Sequence, residues 1–185
     1  MSRIVSRRPS DQEIPTEYLG KLIRYVQGDC VLEALSGQQH WLCELAGSIS
    51  TEQVDRVHPP YQWTVRQVVE HCVDVERLFG HRIMCLASGG LTDLPQWDEN
   101  VAADSRFGLG HFSHLITELG ALRQANTLLL DRIGPRVWEN TGQLSGNSVS
   151  VRLLAWVMAG HLHHHLQIIE QRCNVTVGRG PIGPS

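Results

Sequence analysis

The segment LLAWVMAGHLHHHLQIIEQR, residues 153–172, predicts a long helix with histidines on its apolar face. On a helical wheel with 100° per residue, His165 lies about 40° from His161, one turn further along the same face. Four apolar side chains lie within about 60° of that direction: Leu154, Val157, Met158 and Ile168. The same wheel places His163 on the opposite side, where we expect it to be exposed to solvent, and His164 at the flank.

A second segment, WTVRQVVEHCVDVERLFGHRI, residues 63–83, places His71 in line with Val75, Leu78 and Arg82. A third histidine, on another helix, is therefore expected to face the interior. A buried polar group without a partner costs ~1–3 kcal/mol, so three inward imidazoles need a common partner. A divalent metal supplies one, and helix bundles build metal sites from side chains on facing helices. We therefore predict a metal site at His71, His161 and His165.

Two other interpretations of these histidines remain open. Each imidazole could be hydrogen-bonded to a backbone carbonyl in a purely structural core, or the run HLHHH could form a cluster on the surface. If a metal is bound, neutral imidazole suits zinc, nickel, iron and copper alike. We expect zinc or nickel, with iron as the alternative.

Apolar periodicity beyond these two segments predicts an all-α fold, an antiparallel four-helix bundle. Capping signals and glycines set the expected bounds of the four helices: about 15–48, near Thr64 to about Ala87, about 111–133 and about 149–173. The first helix is expected to break at Gly28-Asp29, where Asp29 can cap its second piece. Strand signals are weak, and only short stretches such as the tail at Asn174–Val177 look extended. We expect a flexible lead-in over residues 1–14, one bundle domain over 15–175 and a flexible tail over 176–185.

Composition limits the classes of function. The chain has 185 residues, 42% hydrophobic and 19% charged, with a net charge of −3, which is typical of one globular domain. The absence of a clustered basic face argues against a nucleic-acid partner. No apolar run is long enough to span a membrane and the first residues lack an apolar signal region, so we expect a cytoplasmic protein. Its five cysteines form no CxxC pair and are expected to be reduced thiols.

A loop of some twenty residues, SGGLTDLPQWDENVAADSRF, follows the second helix. Long loops are often functional, so Trp97, Asp98 and Asn100 are candidates for a lid over the metal. The charge of Arg82 is expected to need a carboxylate, from Asp98 or Glu99, or an anionic ligand group. We therefore assign Arg82, Trp97 and Asp98 as candidate cofactor-binding residues.

Acidic and aromatic residues near the second helix allow further assignments. Asp74 could accept a hydrogen bond from a metal-binding imidazole, or form a surface pair with Arg77. For Glu76 we favour a surface pair with Arg77 or Arg66. Trp63 and Trp156 are expected to anchor the core. No catalytic general base can be assigned.

The segments WTVRQVVEHCVDVERLFGHRI, LPQWDEN and LLAWVMAGHLHHHLQIIEQR together resemble the DinB-like family of bacterial metalloproteins, the DinB/YfiT-type four-helix bundles. Members carry a metal on one histidine of the second helix and two, four residues apart, of the last helix. The resemblance implies the same role for His71, His161 and His165. It also implies a homodimer, since dimers are common in the family.

The resemblance further implies a metal-dependent enzyme. The family is similar in fold to S-transferases that use bacillithiol, mycothiol or glutathione, so we expect a small-molecule thiol and an electrophilic substrate as partners. Three neutral ligands leave coordination positions open, so the ion could also lower the pKa of a bound water from ~15.7 to about 7. A metal-dependent hydrolase and a non-catalytic metal-binding protein of the stress response are therefore the alternatives.

Overall fold

The computed structural model describes residues 6–90, 92–105 and 110–178 of the chain. Within these ranges the α-helices, with their residue bounds, are α1 (Glu17–Tyr25), α2 (Val31–Ser48), α3 (Thr51–Asp55), α4 (Val65–Ser88), α5 (Glu99–Ser105), α6 (Phe112–Arg132) and α7 (Val151–Cys173). A hairpin of two strands, β1 (Thr141–Leu144) and β2 (Asn147–Ser150), precedes α7. Short 3-10 helices cover Asp11–Glu13 and Pro135–Glu139.

Four long helices form the predicted all-α bundle. Around the core, α2 packs on α6, α6 on α4, α4 on α7, and α7 on α2, while α1 lies against α7. The helix α7 is therefore covered on several sides, and its residues from Val151 to His163 are buried without a break. No described helix is long and apolar enough to cross a membrane.

The ends of α4 are where local sequence signals predict them. The Thr64 hydroxyl accepts a hydrogen bond from the backbone N–H of Gln67, and the Gln67 side chain accepts one from the N–H of Thr64. This reciprocal capping box satisfies two N–H groups that a helix start otherwise leaves unpaired. At the other end, Gly89 adopts a left-handed conformation with φ of 67°, which glycine tolerates without a steric penalty. The expected break in the first helix is also confirmed, although Cys30 rather than Asp29 occupies the cap position of α2.

The hairpin was missed by the sequence prediction, which found weak strand signals and named only Asn174–Val177 among the short extended stretches. No described residue of that tail forms a strand, whereas Thr141–Leu144 pairs with Asn147–Ser150. The turn between the strands is made by Ser145 and Gly146, both with positive φ, at 50° and 77°. Consecutive positive φ angles match the twist of a two-residue hairpin. Strands of four residues are too short for periodicity to reveal.

The described part of the predicted lead-in packs against the bundle. Ser6 is buried, and the Arg8 guanidinium donates hydrogen bonds to the carbonyls of Ile23 and Val26. The described part of the lead-in thus contacts the end of α1, whereas residues 1–5 lie outside the described ranges. In the predicted tail, the Val177 N–H donates to Glu170, while residues 179–185 also lie outside the described ranges.

The packing of α7 corrects the expectation for His163. Its side chain is buried, not exposed, because α1 and α2 cover the side of α7 that faces away from α4. The Tyr25 ring stacks on it at a centroid distance of 5.9 Å, and the Trp41 ring meets it edge-on at 5.3 Å. All five cysteines are free thiols, as expected, and Cys72, Cys85 and Cys173 are buried.

Candidate metal centre

Two neighbouring helices bring three histidines together. His71 lies two turns after the Thr64 cap of α4, and His161 and His165 lie one turn apart on α7, which packs against α4. The Nε2 atom of His161 is 3.1 Å from Nε2 of His71 and 3.1 Å from Nε2 of His165. One potential ligand atom from each residue lies within 4.8 Å of the others. The geometry therefore gathers the three imidazoles around one point.

Burial keeps these imidazoles neutral. It lowers the pKa of His71 to about 4. Burial also lowers the pKa of His161 and His165 well below the usual value, and the neighbouring histidines lower it further. A neutral imidazole has one nitrogen with a free lone pair, which is the form that binds a metal.

The donor set is chemically suited to a divalent metal ion. Hydrogen bonds alone would not satisfy both contacts of His161 Nε2, because this nitrogen in a neutral ring either donates one proton or accepts through one lone pair. Four-coordinate zinc with metal–nitrogen distances of ~2.0–2.1 Å separates its ligand atoms by about 3.3 Å, near the 3.1 Å contacts seen here. Three protein ligands and an open position are the arrangement of catalytic rather than structural zinc sites. These residues could therefore hold a metal ion.

Aromatic rings and a carboxylate surround His71. The ring of Trp97 stacks on it at a centroid distance of 6.1 Å, and the ring of Trp63 lies tilted at 5.4 Å. A carboxylate oxygen of Glu99 is 3.9 Å from His71 Nε2. The other ring nitrogen, Nδ1, is buried and has no hydrogen-bond partner among the described residues.

A cavity of about 260 Å³ opens beside His165. Its wall is mainly apolar and aromatic, with Tyr61, Trp63, Val68 and Ile168, and the side chain of Arg172 also lines it. A concave site of this composition next to ligand-binding groups is the usual form of a small-molecule site.

Comparison with known proteins places the chain in a family. The profile of the DinB superfamily matches residues 34–169, which include all three histidines. The chain belongs to the DinB superfamily. Among curated proteins, no sequence matches it.

A solved structure supports the DinB fold. YfiT from Bacillus subtilis, described as a probable metal-dependent hydrolase with an unusual four-helix bundle topology, superposes with a TM-score of 0.68. The match covers 93% of this chain and 99% of YfiT at 20% sequence identity. At that identity the likeness establishes the fold and no more.

The predicted lid residues of this DinB member have different surroundings. Trp97 stacks on His71, and Asn100 lines the cavity beside His165. The Oδ1 atom of Asp98 accepts hydrogen bonds from the backbone N–H groups of Asn100 and Val101, at 2.9 and 3.1 Å. A carboxylate in this position caps the start of α5.

The expected partner of Arg82 is not found in the described part of the chain. Its guanidinium donates to the carbonyl oxygen of Pro95, at 2.7 Å from Nη2, rather than to Asp98 or Glu99. It also lies 5.9 Å from the Phe79 ring centroid. The loop after α4 folds back over the helix, so that the Pro95 carbonyl, and not a carboxylate, accepts the hydrogen bond from Arg82. Arg82 does not line the cavity beside His165. The structure thus gives Arg82 a role in holding the loop.

Glu76 was wrongly predicted to lie on the surface. It is buried at 2% exposure and accepts hydrogen bonds from Arg123 Nη2, at 2.6 Å, and from Asn126 Nδ2, at 2.8 Å. Arg123 also donates to Gln38 of α2, so one polar network joins α2, α4 and α6. Glu76 lies about 140° from His71 on the helical wheel, and that side of α4 faces α6 instead of solvent. Asp74 lines a narrow cavity beside His71 that also includes Glu70.

Two candidate residues were missed in the sequence. Glu99 was considered only as a partner for Arg82, whereas it is the carboxylate that approaches His71. Arg172 lies seven residues after His165, which puts it about 20° away on the wheel. That spacing was visible in the sequence and could have identified Arg172.

Proposed function

We propose that this protein is a metal-dependent enzyme that transfers a small-molecule thiol to an electrophilic substrate. The observation that carries this proposal is the convergence of three neutral imidazoles, one of which, His165, lines a cavity. His71, His161 and His165 would hold the ion. A divalent ion on three neutral ligands keeps its full charge and favours the thiolate form of a thiol that reaches it.

The residues of the chain would supply the rest of the site. Trp63 and Tyr61 give the cavity an aromatic wall that excludes water from one side of a bound substrate. In the transfer, the thiol sulfur forms a bond to the electrophilic carbon, the bond from that carbon to the leaving group breaks, and the leaving group departs with the electron pair. Glu99, whose carboxylate oxygen lies 3.9 Å from His71 Nε2, would take up the thiol proton.

A metal-dependent hydrolase is the second candidate. The observation that favours it is the Glu99 carboxylate oxygen 3.9 Å from His71 Nε2, where it could accept a proton from an attacking water. The description of YfiT as a probable metal-dependent hydrolase is consistent with this alternative.

Metal analysis tests the ligand set. We expect near-stoichiometric zinc or nickel in the purified wild type and a large loss in His161→Ala, because two ligands bind far more weakly than three. His114→Ala is the matched control, since His114 is an exposed histidine on α6, and its metal content should equal that of the wild type. Equal metal in all three proteins would remove His161 from the site.

Thiol dependence separates the two reactions. The wild type is assayed with an electrophilic aryl chloride, with and without glutathione or bacillithiol, and with a chromogenic ester in the absence of thiol. Turnover of the aryl chloride only with a thiol supports the transferase. Ester cleavage without thiol, lowered by about 100-fold or more in Glu99→Gln, supports the hydrolase. Bound metal with neither activity would indicate the non-catalytic alternative.

A further inference from the structure

A cationic region adjoins the cavity beside His165. Arg172 and Tyr61 line both that cavity and a larger one of about 550 Å³, whose wall also contains Arg56. The described residues that line these two cavities include no aspartate or glutamate. The surroundings are therefore positively charged although the whole chain carries a net charge of −3.

Arg172 is held in place without a counter-ion. Its Nη2 atom donates to the carbonyl oxygen of Trp63, and its guanidinium lies 4.8 Å from the Tyr61 ring centroid. Its Nε atom is buried and has no partner among the described residues, and no described carboxylate forms an ion pair with it. A guanidinium has five N–H donors in a rigid fork that matches carboxylate and phosphate groups. Several of these donors therefore remain available to a ligand.

The distance to the metal centre fits a small molecule. Arg172 follows His165 by seven residues, about 10.5 Å along the axis of α7 and on nearly the same face. Between them, Ile168 and Trp63 line the same cavity. A ligand that reaches both ends would carry a reacting group at one end, an apolar or aromatic body, and a group that binds Arg172 at the other end.

We propose that Arg172 binds a carboxylate or phosphate group of the substrate, with Arg56 adding positive charge at the outer edge of the site. This inference rests on the proposed function, because it assigns the orientation of a molecule that reacts at the histidine centre. It makes Arg172 a specificity-determining residue that selects small organic anions over neutral molecules of the same shape.

The test compares three ligands with one aromatic body. Dissociation constants of phenylacetate, phenyl phosphate and 2-phenylethanol are measured by NMR titration of the zinc-loaded wild type, Arg172→Gln, Arg56→Gln and Arg136→Gln. Arg136 is an exposed arginine in the 3-10 helix against the other end of α7, so it controls for the loss of one positive charge. Thermal unfolding and zinc content of each variant establish that it is folded.

We expect at least one anion to bind the wild type about tenfold or more tightly than 2-phenylethanol, since hydrogen bonds to charged groups are the strong ones. Whichever of phenylacetate and phenyl phosphate binds more tightly shows whether Arg172 prefers a carboxylate or a phosphate group. This preference should disappear in Arg172→Gln, weaken in Arg56→Gln and persist in Arg136→Gln, and the Arg172 Nε–H signal should shift during the titration.

Two results would overturn the inference. Equal binding of the anions and the alcohol by the wild type would show that the cavity does not select charge. A preference that survives in Arg172→Gln would assign anion binding to the metal instead. If Arg172→Gln does not fold, the inference is still tested by the anion preference of the wild type and by its weakening in Arg56→Gln. Absence of zinc binding by the wild type would contradict the proposed function. The anion preference of the same protein would still be measured, so the two failures can be told apart.

Discussion

The two tryptophans beside His71 differ in exposure. Trp63 is half-buried and lies between His71 and the cavity, whereas Trp97 is 36% exposed and covers the imidazole from the side of the loop after α4. Trp97 therefore shields one face of the His71 ring from water. The stacked indole is therefore expected to slow the loss of a bound ion.

We predict that Trp97→Ala releases zinc about two to ten times faster than the wild type, because an aromatic pair is worth about 0.5–1.5 kcal/mol. The rate is followed by stopped-flow mixing with a chromogenic chelator. Trp97→Phe keeps a ring over His71 and should release zinc at close to the wild-type rate. Identical rates in Trp97→Ala and the wild type would show that the indole does not protect the site.

The contact between α1 and α7 depends on a glycine. A Cβ atom on Gly160 would lie 2.1 Å from the carbonyl oxygen of Leu22 and 2.5 Å from its carbonyl carbon. Both are backbone atoms, which cannot move aside as a side-chain end can. The absence of a side chain at Gly160 therefore sets how closely α1 approaches the helix that carries His161 and His165.

Gly160→Ala is expected to lower the free energy of unfolding by about 1–3 kcal/mol, because overpacking at this site displaces backbone. Urea denaturation measures the change. The control is Gly120→Ala in α6, where an added Cβ meets nothing within 4 Å. That variant should be unchanged or up to about 1 kcal/mol more stable, since alanine favours helix more than glycine does. A stable Gly160→Ala protein would contradict the described packing.

An ion-pair cluster ties the start of the chain to the last helix. Arg152 of α7 is nearly fully buried and pairs with Glu13 and with Glu139, residues that lie far apart in the sequence. Burial alone would raise the pKa of Glu13, but hydrogen bonds from the Ser10 backbone and from Arg152 outweigh burial and lower the pKa to about 2. The ionised form of Glu13 is therefore stabilised by folding.

This pKa shift predicts a pH-dependent contribution to stability. A carboxylate with a folded pKa of about 2 and an ordinary value of 4.5 stabilises the fold above pH 4.5 and loses that effect as the pH falls toward 2. Glu13→Gln should therefore be less stable than the wild type by about 1 kcal/mol or less at neutral pH, a small value because Glu13 is partly exposed. The difference should shrink as the pH is lowered through that range.

Chemical denaturation at a series of pH values measures this difference. Asp131→Asn, which removes an exposed carboxylate on α6, should show no comparable convergence with the wild type at low pH. A constant difference between Glu13→Gln and the wild type at all pH values would exclude the ionised pair as its cause. The predicted homodimer stays a prediction and can be examined on the same samples by light scattering.

Local signals in the sequence were sufficient for the four long helices and for the side of each helix that the three histidines occupy, but not for the short helices α3 and α5. The Thr64 capping box and Gly89 act within a few residues, so they set the ends of α4 before any packing is known. Likewise, the four-residue spacing of His161 and His165 puts both on one face whatever lies against that face. The same helical-wheel construction points His71 inward on α4, and the resemblance to the DinB family supports it as the third ligand.

Contacts between segments that lie far apart in the sequence could not be predicted from it and are known only from the tertiary structure. Periodicity shows where a side chain points on its own helix, but whether that direction meets water or another helix depends on how the helices pack. For this reason His163 and Glu76, which point away from the metal-centre face, are buried against α1 and α6 instead of exposed. The approach of Glu99 to His71 and of Trp63 to Arg172 depends on loop paths that no helical period encodes.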